Sequence, residues 1–231
     1  MKRDTLHRVL ADRDGERPFV LATRLDTGDQ VLIRPDEDGA DGVPGPVRDA
    51  ALQALTADRS ATVSIDEVDH FLQVFNPPVQ VILVGAVHIA QPLCHMARVA
   101  GFRVTLVDPR KAFSTEERFP GVHLVRAWPG EAFGSLRLDR RTAVVTLSHD
   151  PKFDDPALEL ALRSPVFYIG ALGSRRTHAK RCGRLEAAGF AQADLSRIHG
   201  PVGLDIGART PGEIAVSVMA ELVDCLRAGD R

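Results

Sequence analysis

A chain of 231 residues, 44% hydrophobic and 26% charged, has enough apolar material for one or two globular domains, and its formal charge of -2 offers no basic face for bulk nucleic-acid binding. No window approaches the roughly 18 uninterrupted apolar residues of a membrane-spanning helix, and the N-terminal stretch MKRDTLHRVLADRDGERPF is charged throughout, without the apolar centre of a signal peptide. Cys94, Cys182 and Cys225 are far apart and form no C-x-x-C pair, which argues against a zinc site or disulfide framework and for a reducing, cytoplasmic location.

Along the chain, Pro18 to Pro35 holds two apolar runs around Asp26-Thr27-Gly28-Asp29, the composition of a β-hairpin. The acidic, Gly/Pro-rich segment 36–46 reads as a solvated loop, VRDAALQAL as a short helix, and ATVSI and FLQVF as strands. These predict a small α+β domain over residues 1–75. Asn76-Pro77-Pro78 is a stiff break, because proline holds the residue before it extended, and a second domain over 76–231 follows. There strand and helix alternate. VQVILV, RVTLVD, VHLVRA, AVVTLS and VFYIG predict a parallel sheet with helices on both faces, a Rossmann-like α/β fold. The helix after VQVILV carries Ile89, Leu93, Met96, Ala97 and Ala100 on one apolar stripe and stops at Gly101. Further helix starts are expected at Asp155-Pro156 and at the capping box Thr210-Pro211-Gly212-Glu213.

In an open parallel sheet, ligands sit beyond the carboxyl ends of the strands, so residues just after each strand are the site candidates. Gly85-Ala86-Val87-His88 places backbone N–H groups at a helix N-terminus, where they face an anion. A dinucleotide turn needs glycine where this chain has Val87, and a β-branched side chain there fills the space a pyrophosphate uses. Asp108 follows where such folds place a ribose-binding acid, and its carboxylate suits the donor edge of a pterin as well. His149 and Asp150 follow AVVTLS. Gly170 and Gly173 allow a tight turn, from which Ser174, Arg175 and Arg176 open a helix as a phosphate cradle. The cysteines are expected as buried filler within helices. No metal site and no catalytic set stands out. An NAD(P)-dependent oxidoreductase, with Arg110 reading a 2′-phosphate, is the alternative reading of the same residues.

VILVGAVHIAQPL, TLVDPRKAFSTEERFPG, VVTLSHDPKFDDPAL, FYIGALGSRRTHAKR and HGPVGLDIGARTPGEIAVSVMAEL together resemble the XdhC/CoxI family, accessory factors of xanthine dehydrogenase and related molybdenum enzymes, over about Val79 to Val223. The last motif is the most specific, with Gly203, Asp205, Gly207 and Thr210-Pro211 in a fixed arrangement. Longer members carry a G-G-C-x-E-type segment in a fuller N-terminal domain and a G-A-G-H turn; here the N-terminal region has no cysteine and the turn is Gly85-Ala86-Val87-His88. The resemblance implies a chaperone that binds the molybdenum cofactor (molybdopterin), holds it while a cysteine desulfurase installs the terminal sulfur, and passes it to the apo-enzyme of a molybdenum hydroxylase of xanthine dehydrogenase or CO dehydrogenase type. It implies no turnover by the chain itself and is compatible with a homodimer. On this reading the Gly85 turn with Ala86, Val87 and His88, and the turn from Gly170 to Arg176, hold the terminal phosphate or neighbouring ligands. Asp108 reads a polar edge, His149, Asp150 and Asp205 line the crevice, and Arg110 and Gly203 are counted among the cofactor-binding residues.

Overall fold

The computed structural model describes residues 2–37 and 43–228. It divides into two compact units, one ending at Pro77 and the next beginning at Pro78. Of the acidic loop expected at 36–46, residues 38–42 lie outside the described residues, and Gly45 and Pro46 already belong to the next helix.

The first unit runs α1 (Arg3–Asp14), β1 (Phe19–Arg24), β2 (Gln30–Ile33), α2 (Gly45–Thr56), β3 (Ala61–Ile65) and β4 (Val68–Phe75). Its four strands form an antiparallel sheet in the order β2-β1-β4-β3. Side chains alternate across a strand, and β1 uses both faces. Val20 and Ala22 pack with Val47 and Ala51 of α2, whereas Phe19 and Leu21 pack with Val9 of α1. Sequence patterning missed α1 because that helix is mostly polar; Val9 and Asp12 are its buried residues, and Asp12 is held by Arg34 at 2.8 Å. β4 begins at Val68, earlier than the apolar run FLQVF suggests. Asp66 and Glu67 both take positive φ, the backbone of a two-residue hairpin turn, so pairing with β3 continues down to Val68.

The second unit runs β5 (Gln80–Val84), α3 (Ala90–Val99), β6 (Arg103–Val107), β7 (His123–Val125), α4 (Pro129–Ala132), β8 (Thr142–Thr146), α5 (Pro151–Leu162), β9 (Tyr168–Ala171), α6 (Arg175–Ala187), α7 (Gln192–Leu195), β10 (Ile198–His199) and α8 (Pro211–Arg227). The six strands are all parallel, in the order β10-β9-β8-β5-β6-β7. The chain winds outward from β5 to β7, returns to β8 beside β5, and winds outward again. The carboxyl ends of β5 and β8 are therefore the switch point at which such sheets open a crevice. Val81 and Leu83 of β5 face α3 and α8, while Ile82 and Val84 face α5 and α6, so helices seal both sides.

Two expectations are corrected here. α5 starts at Pro151, with Asp150 as its N-cap accepting from the Lys152 N–H at 2.9 Å, and Pro156 lies inside the helix. Asp-Pro occurs twice in HDPKFDDP, and the first pair wins because β8 already ends at Thr146. Gly170 is not in a turn but within β9, where a Cβ would come within 2.6 Å of Val202 and 2.9 Å of the Tyr168 ring.

Candidate functional site

The carboxyl edge of the sheet is built from short loops that brace one another. Gly85 follows β5 with φ +107, a backbone conformation that favours glycine, and a Cβ there would be in ordinary contact with Ser148 after β8 at 3.4 Å. The Ala86 N–H donates to Oδ2 of Asp108 at 2.7 Å, and the Val87 N–H turns back to the Gly85 carbonyl at 2.9 Å. Ile89 precedes α3 without a side-chain cap, which leaves the helix N-terminus to a ligand or to water.

Asp108 is fully buried, and its carboxylate is engaged by its own neighbours. Beside the Ala86 bond, it accepts from Arg110 three times: from the backbone N–H at 2.9 Å, from Nε at 2.9 Å and from Nη2 at 2.6 Å. Burial alone would raise this carboxyl, but the bonds from Arg110 and from the Ala86 N–H hold it below the usual carboxylate range. Only Pro109 separates the acid from the arginine, so the guanidinium folds back and occupies the oxygens a ribose would need. Asp108 thus fixes the Gly85 turn and aims Arg110. The guanidinium lies 4.8 Å from the Phe113 ring and 5.0 Å from the Phe153 ring, and the half-exposed Trp128 packs on Phe153 at a tilt of 39° with centroids 4.8 Å apart.

Between the Gly85 turn and the loop after β6 opens a pocket of about 420 Å³, lined by Ala86, Val87, His88, Gln91, Arg110, Ala112, Phe113 and Arg118. Arg118 Nη1 donates to the Phe113 carbonyl at 2.6 Å, and Gln91 Nε2 to the Arg118 carbonyl at 3.3 Å, so the lining is tied to itself. Its chemistry is that of an anion site with an apolar wall: two guanidiniums, an imidazole, helix N–H groups and an exposed phenyl ring. Ala86, Val87, His88 and Arg110 were legible as candidates. Phe113, Arg118 and Gln91 were not; the basic and aromatic composition of RKAFSTEERF, just after Asp108-Pro109, was the one available hint for the first two.

The other candidates stand around this pocket rather than in it. His149 and Asp150 are exposed beyond β8, where Asp150 is spent on capping α5 and its N–H donates to Ser148 Oγ at 3.0 Å. Beneath them Asp154 and Arg181 form a buried ion pair at 3.3 Å, and Arg181 also donates to the Leu172 carbonyl at 2.8 Å, tying α5 and α6 to the end of β9. Gly173, with φ +137, makes the turn into α6; Ser174 caps it by accepting from the Thr177 N–H at 3.2 Å, and Arg175 and Arg176 are exposed on its first turn. That turn is three strand spacings from the end of β6, roughly 14 Å. Gly203 follows β10 at the sheet's margin, where its N–H donates to Glu221 at 2.8 Å, and Asp205 is exposed beside it. Of the cysteines, Cys94 is buried, with its thiol pushed up to about 12 by burial. Cys182 and Cys225 are partly exposed and each lies against a histidine, so the filler reading applies to Cys94 alone. Among the described residues no His, Cys, Asp and Glu cluster could hold a metal ion, and no helix is long and apolar enough to cross a membrane.

Residues 81–222 match the family model described as the XdhC Rossmann domain. The chain is 34% identical over 183 residues to a probable xanthine dehydrogenase subunit of Bacillus subtilis, covering 76% of this chain and 52% of that one. It is 38% identical over 100 residues to the molybdenum cofactor insertion chaperone PaoD of Escherichia coli, covering 43% of this chain and 31% of that one. The chain spans about half the length, or less, of the curated relatives it matches. In fold it is similar to the crystal structure of a xanthine dehydrogenase from Bacillus halodurans, with a TM-score of 0.70 and 23% identity over 98% of this chain and 65% of that one.

Proposed function

Because the chain belongs to the XdhC family, we propose that it is an accessory protein that binds the molybdenum cofactor, holds it in the cytoplasm while a cysteine desulfurase supplies the terminal sulfur, and delivers it to the apo-enzyme of a molybdenum hydroxylase of xanthine dehydrogenase or CO dehydrogenase type. The observation that carries this reading is the pocket on the Gly85 turn, inside the matched span, whose geometry is turned away from ordinary dinucleotides. Val87 stands where the pyrophosphate would approach, and the Asp108 oxygens are filled by Arg110 and Ala86. What remains fits a cargo with a phosphate and a planar ring. Arg110, Arg118 and the α3 N-terminus would hold the phosphate, and Phe113 would lie against the ring. Arg175 and Arg176 would steer a second anionic part of the cargo across the switch point. The chain's own work is binding, orientation and shielding, and the reactive metal–sulfur chemistry travels with the cargo.

The test is to purify the protein from cells that make molybdopterin, assay oxidised pterin fluorescence and bound molybdenum, and titrate the same preparation with NAD and NADP by calorimetry. Co-purified pterin with dinucleotide binding weaker than millimolar is expected. Micromolar NAD(P) affinity without pterin would return the chain to the oxidoreductase reading.

A further inference from the structure

Away from the pocket, towards the C-terminal end of α8, a thiol, an imidazole and a carboxylate stand in line. Cys225 Sγ is 3.8 Å from Nε2 of His199, and Nδ1 of the same ring is 3.2 Å from Oε1 of Glu221. Glu221 and Cys225 are four residues apart on α8 and share a helix face, and His199 reaches both from the edge strand β10. The carboxylate is itself pinned. Its Oε2 accepts from the Tyr168 hydroxyl at 2.5 Å and from the Gly203 N–H at 2.8 Å, while the Tyr168 ring lies on the imidazole with centroids 4.8 Å apart. An ionised carboxylate can only accept, so Nδ1 carries the imidazole proton and Nε2 presents a lone pair to the thiol. That is the order of groups by which a base, oriented by a third residue, activates a nucleophile.

We infer that Cys225 is a reactive thiol that exchanges with small disulfides, with His199 as its general base and Glu221 as the positioning residue. His199 Nε2 takes the thiol proton as Sγ attacks one sulfur of the disulfide. The S–S bond of the disulfide breaks, a Cys225 Sγ–S bond forms, and the departing thiolate takes the proton from the imidazolium. One disulfide replaces another, so no separate oxidant is needed. The groups facing Cys225 make the base necessary: burial and the Glu221 and Asp224 carboxylates push the thiol up, and Tyr168, buried and bonded to Glu221, is pushed up too and stays a phenol. A thiol left to ionise by itself would be slow at neutral pH. The chain carries its own control in Cys182, whose Sγ is 3.5 Å from Nε2 of His178 but whose histidine has no partner at Nδ1.

The experiment treats the whole protein with 4,4′-dithiodipyridine, an uncharged disulfide, and follows each cysteine by mass spectrometry from mildly acidic to mildly alkaline pH. At neutral pH Cys225 reacts roughly tenfold or more faster than Cys182, within the range that general-base assistance supplies, and buried Cys94 stays unmodified as the folding reporter. His199→Ala slows Cys225 by a similar factor and moves its pH profile up towards that of an ordinary thiol. Glu221→Gln does the same at constant size: its amide oxygen must stay on the Tyr168 and Gly203 donors, so its NH₂ faces Nδ1 and reverses the tautomer. A wild-type Cys225 no faster than Cys182 overturns the inference, and so does a His199→Ala protein with Cys94 still protected and the Cys225 rate unchanged. The wild-type ratio decides the matter even where a variant loses its fold.

Discussion

Arg175 and Arg176 are the exposed cations on the first turn of α6, and if cargo phosphate reaches that turn each contributes a charge-assisted bond of roughly 1.5–3 kcal/mol. Replacing both with alanine is expected to lower affinity for the cofactor at least about tenfold, since tenfold needs only about 1.4 kcal/mol. The loss should be larger at low salt than at high salt, because exposed attraction is screened. Pterin content of wild type and double mutant across a salt series checks it; equal content would leave the anion to the Arg110 and Arg118 pocket alone. A buried residue gives a second expectation. Burial pushes the Asp154 carboxyl from 3.8 to about 6, against the pull of Ser148 and Arg181. The folded chain therefore binds that proton more tightly than the unfolded chain, so its stabilising effect is complete below about pH 4 and is lost as pH rises through about 6. Urea denaturation across this window should show the wild type losing stability relative to Asp154→Asn, which has no proton to release. A constant difference between the two proteins would refute the shift.

At the level of elements, sequence patterning succeeds where burial is continuous. The strands β5, β6, β8 and β9 are apolar runs because helices cover both faces, and the Thr210 capping box starts α8 as its residues demand. It fails where an element owes its existence to neighbours. β10 is two residues held by β9, and α1 is a polar helix with one buried apolar side chain. Of the pocket lining, the turn residues Ala86, Val87 and His88 and the cation Arg110 were legible as candidates. Asp108 was legible as a candidate, but its bonds with Arg110 were not, because no pattern in the chain says that Arg110 folds back onto it. The loop supplying Phe113 and Arg118 has no periodicity at all. Gly203 was marked as a cofactor contact, yet its setting explains it by packing: with φ +95, a Cβ there would lie 2.2 Å from Ser217 Oγ and 3.0 Å from the α8 backbone. Gly203→Ala should cost roughly 2–4 kcal/mol by overpacking and left-handed strain. Gly207→Ala, with φ +74 but open space around it, should cost roughly half that or less. Comparable losses in chemical denaturation would mean that packing against α8 is not what Gly203 serves.

For the whole molecule, the division at Pro77 and Pro78 separates two sets of cores. Val20, Ala22, Ile33 and Leu72 close the first sheet with α2, while the second unit has its own apolar layer on each side of the parallel sheet. Both the pocket and the Cys225 relay belong entirely to the second unit. A fragment beginning at Pro78 is therefore expected to fold cooperatively by itself, with a far-ultraviolet spectrum of mixed helix and sheet and a single thermal transition. A fragment that stays unfolded would show that the second unit depends on the first.

The aromatic and guanidinium stack has an optical consequence. Trp128 is the chain's one tryptophan, and Phe153 is in contact with both its indole and the Arg110 guanidinium that lines the pocket. Emission excited selectively at the red edge of the indole band, where Tyr168 does not absorb, therefore comes from a single fluorophore one ring away from the cation expected to meet incoming phosphate. An anion that draws Arg110 from between its rings should shift the wavelength or yield of that emission, without any attached dye. Titration with inorganic phosphate should give a saturable change in the wild type and none in Arg110→Ala. A change that persists without Arg110 would mean that the indole is sensing the solvent and not the pocket.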